Sequence, residues 1–146
     1  MIRRSPSYDP PEYVSWQPSS SVQAEWDATL AASKPRRHSI DALAPAQHLE
    51  LFMGLVRTRL TDTWLKRWVM QGILSKAWLG TGEEAVTVGC VQALRQGPDG
   101  DVVGPAIRNA GACRAMGMPA SAVFKAYLGT RDQGSKGRDF LPGDLR

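Results

Sequence analysis

LELFMGLVRTRLTDTWLKRWVMQG, residues 49–72, is the stretch whose reading decides the fold. Leu49, Phe52, Met53, Val56, Leu60, Trp64 and Trp68 recur at steps of three and four, which places them on one face of a helix of about six or seven turns. Arg57, Arg59, Asp62, Lys66 and Arg67 fall largely on the other faces, and Gly72 supplies the stop that a helix C-terminus favours. The helix is expected to begin near Pro45 and to be amphipathic.

Upstream the composition changes. Residues 1–44 carry Pro6, Pro10, Pro11, Pro18 and Pro35 among many serines, a mixture that buries too little apolar surface to offset the entropy of ordering the backbone. The expected organisation is a flexible arm over 1–44 and a folded part over 45–146. Tyr8, Tyr13, Trp16 and Trp26 are the aromatic exceptions within the arm, suited to docking on a neighbouring surface.

Downstream, Thr81-Gly82-Glu83-Glu84 reads as a capping box, with the threonine oxygen accepting an N–H three residues on and Glu84 reaching back to the Thr81 amide. A second helix is expected from Gly82 through Ala85, Val88, Val91 and Leu94 to Gly97-Pro98, which cannot continue a helix. Pro98-Asp99-Gly100 is turn chemistry, and Asp101-Val102-Val103-Gly104-Pro105 reads as a short strand or extended segment. A short third helix is expected over about 109–116, and a fourth from Pro119 to Gly129 carrying Val123, Phe124, Tyr127 and Leu128. The Gly-rich, charged tail after Gly129 reads as an exposed loop.

A chain of 146 residues supports one modest core, and its net charge of +4 makes the surface mildly cationic. The charges are mixed and form no block of one sign, so nucleic-acid binding by a small basic helical protein is the least favoured of three functional readings. Cys90 and Cys113 are far apart and belong to no C-x-x-C pair, which fits a reducing compartment. Asp9, Pro10, Pro11 and Glu12 interrupt the N-terminal segment where a secretory signal needs an apolar run, and no apolar run approaches bilayer length. A cytoplasmic, non-membrane protein is expected.

The residues exclude several chemistries. His38, His48, Cys90 and Cys113 have no zinc-site spacing, and no metal ligand set is expected. Nothing forms a G-x-S-x-G elbow or a nearby Ser/His/Asp set. The segment from Gly129 to Lys136 is not a phosphate-binding P-loop, because its serine precedes the lysine and a helix precedes the segment where a strand is required.

Taken together, Arg59 and Asp62 on the long helix, Gly72, Gly82-Glu83-Glu84-Ala85, Val88-Gly89, Ala93-Leu94, Asp101, Arg108, Gly111, Gly117, Gly129 and Gly137-Arg138-Asp139 follow the order and spacing of one family. Over roughly residues 48–144 the chain resembles the α subunit of the thiamine diphosphate-dependent decarboxylating component of pyruvate, branched-chain 2-oxo acid and acetoin dehydrogenase complexes. The resemblance implies an α/β fold class, with this chain as the helical N-terminal part of a thiamine diphosphate-binding parallel-sheet fold, truncated before the cofactor motif. It implies thiamine diphosphate with magnesium as cofactor, a β subunit of the same component as partner, and a lipoyl-bearing acyltransferase as acceptor of the acyl group. The glutamate that activates the cofactor belongs to the β subunit in the family, so no catalytic residue is expected here.

The resemblance transfers few site residues. Arg108 matches the arginine that donates to the diphosphate, a task suited to a permanently charged, bidentate guanidinium. Ile107 stands at the adjacent cofactor-contacting position, where the family usually has a tyrosine. Trp78 takes the place of a histidine near the substrate in pyruvate-type members, and Leu141 that of a histidine after Gly-Arg-Asp. The family's Gly-Asp-Gly motif and downstream asparagine, which hold magnesium and the diphosphate, cannot be assembled from these residues, so a chain inactive by itself is expected. The alternative reading is a non-catalytic module that docks on a β subunit or another partner.

Overall fold

The computed structural model describes residues 18–105, 110–133 and 136. Ile107 and Arg108 lie outside the described residues, as do residues 1–17 and 137–146. The described residues form six helices and no strand: α1 (Ser20–Ala32), α2 (Lys34–Asp41), α3 (Pro45–Met70), α4 (Glu84–Gln92), α5 (Ala110–Ala115) and α6 (Ala120–Leu128). The chain divides into two compact units, Met1–Glu50 and Leu51–Arg146, with α3 running through the boundary.

In the first unit, two helices occupy residues whose composition reads as a loose arm. The Ser19 side chain caps α1 by accepting the Val22 N–H at 3.4 Å, and Pro35 sits in the first turn of α2, where its missing N–H is no loss. Arg37 and Asp41, one turn apart on α2, form an exposed ion pair at 3.0 Å. Neither helix has a buried residue, so local bonds rather than a core define them. At the start of α3, Gln47 Oε1 accepts the Ala44 N–H at 2.8 Å, just ahead of Pro45.

The second unit holds the core. Leu65, Leu74, Ala110, Val123 and Tyr127 pack together, ringed by Trp68, Val69, Ala77, Trp78, Leu79, Met118 and Phe124. The rings of Trp68 and Phe124 lie 4.9 Å apart and tilted by 44°. Burying Leu65 and Val123, both with no exposed surface, contributes about 1.5–3 kcal/mol each. α4 packs on α5, and α5 touches α6.

Helix ends follow the sequence where glycine sets them. Gly72 has φ 72°, and the Ile73 N–H reaches back to the Trp68 carbonyl at 2.9 Å, closing α3 in a left-handed cap. Gly129, φ 66°, closes α6 in the same way through Thr130 N–H to Lys125 O at 3.1 Å. The turn expected at Pro98–Gly100 is present, with Gly100 N–H bonded to Gly97 O at 3.0 Å. Residues 101–105 form no strand, and Asp101 instead folds back on Arg95 through both backbone and side chain. The helical content expected from the sequence is therefore observed, while the sheet of an α/β fold is not seen among the described residues.

The orientation of α3 reverses the simplest reading of its periodicity. Phe52 (59% exposed), Leu60 (52%) and Trp64 (47%) face outward, and Met53 is exposed beside them. The buried positions are Thr58, Thr61, Asp62 and Leu65, which have the same i, i+3, i+4, i+7 spacing on the opposite face. Two features let this polar face turn inward. Gly54 allows the close approach of Val88, since a Cβ there would lie 2.6 Å from Val88 Cγ1. Thr61 donates to the Arg57 carbonyl at 2.8 Å, and Asp62 is satisfied from the turn before α4, so these groups are buried with partners.

Candidate functional site

The chemistry of the second unit concentrates where α3 meets the turn leading into α4. Arg59 and Asp62 stand three residues apart on α3, which brings them to neighbouring positions one turn along the helix. Gly80, Thr81 and Gly82 carry the chain past them, and Glu84 opens α4. Arg59 Nε donates to Glu84 Oε1 in a short ion pair, and the Gly82 N–H donates to Glu84 Oε2 at 2.9 Å. The Thr81 hydroxyl donates to Asp62 Oδ2 at 3.3 Å.

This arrangement corrects the expected capping box. Glu84 does not reach the Thr81 amide, Thr81 does not cap α4, and the residue at the cap position, Glu83, makes no side-chain capping bond. Arg59 on α3 holds one Glu84 oxygen by a charge-assisted bond and the Gly82 amide holds the other, while the Asp62 carboxylate takes the threonine hydroxyl. Helix α4 accordingly starts at Glu84 and ends at Gln92, short of Gly97.

The two carboxylates are tuned in opposite directions. Burial pushes the Asp62 carboxyl up to about 6, a rise that the nearby Glu84 charge reinforces and that bonds from Thr81 and the Gly80 N–H, with the Arg59 charge, only partly offset. For Glu84 burial also works upward, but the Arg59 bond, backbone N–H groups and the Arg59 charge outweigh it, leaving the carboxyl below its ordinary value. Arg59 is held further into its charged form, first by its bond to Glu84. Of the two acids, Glu84 is thus the committed anion and Asp62 the group nearer to neutrality.

Trp78, the expected substrate-pocket residue, is half-buried against the core. Its carbonyl accepts the Tyr127 hydroxyl at 2.9 Å, and the Lys76 ammonium lies 4.7 Å from its ring centroid. The bond to Tyr127 ties the segment before Gly80 to α6. Ile107 and Arg108, the expected cofactor contacts, fall outside the described residues.

The junction does not fit a magnesium diphosphate. Arg59 is engaged by Glu84, and a second carboxylate, Asp62, repels phosphate oxygens. Among the described residues no group of three or more His, Cys, Asp or Glu side chains could hold a metal ion. Sequence reading names Arg59, Asp62 and Glu84 as parts of a spaced pattern but misses that they meet. The available signal is the i, i+3 pair of opposite charge on a long helix followed by a Gly-x-Gly turn and an acidic helix start.

None of the described helices is long and apolar enough to cross a membrane. Compared with known protein families, curated proteins and solved structures, the chain has no match.

Proposed function

We propose that this chain is the N-terminal part of the α subunit of a thiamine diphosphate-dependent 2-oxo acid dehydrogenase, cytoplasmic and inactive by itself. In this reading its helices belong to a larger parallel-sheet fold, its partner is a β subunit, and the intact component passes an acyl group to a lipoyl-bearing acyltransferase. The observation that supports it is the junction itself. Arg59 and Glu84, 25 residues apart and both part of the resemblance, meet in an ion pair, and Asp62 bonds to Thr81 in the same turn. The role of that junction is to lock α3 to the start of α4; no cofactor step is assigned to it.

The test is affinity capture of the full chain with β subunits of the pyruvate, branched-chain and acetoin types, followed by a decarboxylase assay with thiamine diphosphate and magnesium. The expected result is a stoichiometric complex with one β type and no turnover by the chain alone. Failure to bind any of the three would overturn the reading. A second reading, a non-catalytic docking module, is favoured by the outward apolar face of α3 and is distinguished by a stable complex that lacks activity even with the cofactor supplied.

A further inference from the structure

On the second unit, α3 presents Phe52, Met53, Val56, Leu60 and Trp64 along one outward stripe, four of them exposed and Val56 half-buried. A large side chain carries about 150–250 Å² of surface, so the four exposed ones leave on the order of 400 Å² of apolar surface in contact with water, with Val56 and the flanking stems adding to it. That equals the largest patch of an ordinary monomer, about 300–600 Å². Doubled across a symmetric contact it approaches the roughly 1,000 Å² that a specific interface requires.

We infer that this stripe is the contact through which two copies of the chain pair, α3 against α3, antiparallel about a two-fold axis passing near Leu60. The stripe is self-complementary in that arrangement. With Leu60 opposite its own copy, the bulky Trp64 of one chain lies over the small Val56 of the other, and Phe52 lies towards Trp68. Charge selects the same direction. Arg57 and Arg67 border the stripe, and a parallel pairing would set each against itself, whereas the antiparallel one sets Arg57 beside Thr63 and Arg67 beside Met53. Arg67 is already folded over its own Trp64, its guanidinium carbon 5.1 Å from the ring centroid, so this cation is held at the Trp64 end of the stripe by its own chain. The antiparallel arrangement also opposes the two helix dipoles. This pairing uses neither the Arg59–Glu84 junction nor any cofactor contact, so it stands independently of the proposed family.

The experiment is sedimentation of the full chain over a wide concentration range, with Leu60→Asp on the stripe and Val86→Asp as control, since Val86 is 70% exposed on α4. The wild-type chain is expected to dimerise, Leu60→Asp to raise the dimer dissociation constant by about 100-fold or more, and Val86→Asp to leave it within about threefold. Circular dichroism unchanged in both variants keeps the comparison free of unfolding. A second measurement fixes the register: in a Cys90→Ser background, Leu60→Cys should form a cross-chain disulfide much faster than Val86→Cys. A monomer at all concentrations, including one whose stripe is shielded by another segment of its own chain, overturns the inference. So does a dimer indifferent to Leu60→Asp, or equal cross-linking at the two positions.

Discussion

Replacing Asp62 by asparagine should stabilise the protein at neutral pH and leave it unchanged in acid. Asp62 is 3% exposed, and its carboxyl rises from an ordinary 3.8 to about 6, chiefly because burial disfavours the charged form. Such a group binds more protons in the folded than in the unfolded chain between those two values. Its favourable contribution is therefore fully present below 3.8 and is lost as the pH rises through about 6. The full span corresponds to about 3 kcal/mol, which sets the upper bound on the burden of the ionised group at neutral pH. Asparagine keeps an acceptor for Thr81 and the Gly80 N–H and carries no charge, so Asp62→Asn should raise the unfolding free energy by about 1–3 kcal/mol near pH 7.5 and by close to zero near pH 4. Glu84 acts in the opposite sense. Its lowered value means that its contribution is present above its ordinary 4.5 and lost as the pH falls through its folded value, but that loss is common to both proteins and cancels in the difference. Urea unfolding followed by tryptophan fluorescence across this range measures the effect. A variant less stable at neutral pH, or a difference that does not change with pH, would refute a buried, near-neutral Asp62.

Two further substitutions probe the packing of the second unit. Gly54→Ala places a methyl group 2.6 Å from Val88 Cγ1, and overpacking of about 1–3 kcal/mol exceeds the helix-propensity gain of about 1 kcal/mol, so a net loss is expected. A double-mutant cycle with Val88→Ala should recover part of that loss, and strict additivity would mean that the two groups do not meet. Tyr127→Phe removes the bond to the Trp78 carbonyl at a cost of about 1 kcal/mol, read as a lowered unfolding midpoint, and an unchanged midpoint would show that water replaces the hydroxyl.

How far the sequence is legible depends on whether a feature is decided locally. The limits of α6 follow from Pro119 and Gly129 because those residues act on their own backbone, and the end of α3 follows from Gly72 for the same reason. The cap of α4 is misread because Glu84 divides its two oxygens between Arg59, 25 residues away, and the Gly82 amide, leaving the Thr81 amide without it. Helices α1 and α2 emerge from a composition that reads as disordered, since Ser19, Pro35 and the Arg37–Asp41 pair supply local start and support signals that a count of prolines and serines averages away. Trp78 is expected in a substrate pocket on resemblance, and the contacts its carbonyl and ring make with Tyr127 and Lys76 depend on residues far along the chain or on ring geometry that a motif does not carry. Arg108 and Ile107 rest on resemblance alone.

The orientation of α3 could not be read from periodicity, because the helix carries two sets at i, i+3, i+4, i+7 spacing, one apolar and one built from threonine, aspartate and leucine. Turning the apolar set inward would recover the transfer free energy of its exposed apolar surface. Against it stand the loss of Leu65 from the core, the separation of Arg59 from Glu84 and of Asp62 from Thr81, and the removal of the glycine at position 54 from its contact with Val88. Separating the ion pair is the heaviest of these, since it leaves the Glu84 carboxylate, itself largely buried, without the cation that holds it charged. The inward face thus fixes which surfaces meet, through bonds that only one orientation can make, while the outward face keeps the larger share of apolar free energy in reserve. A second chain can draw on that reserve without breaking any contact of the first, and in this way a helix with two faces specifies its fold with one and its association with the other.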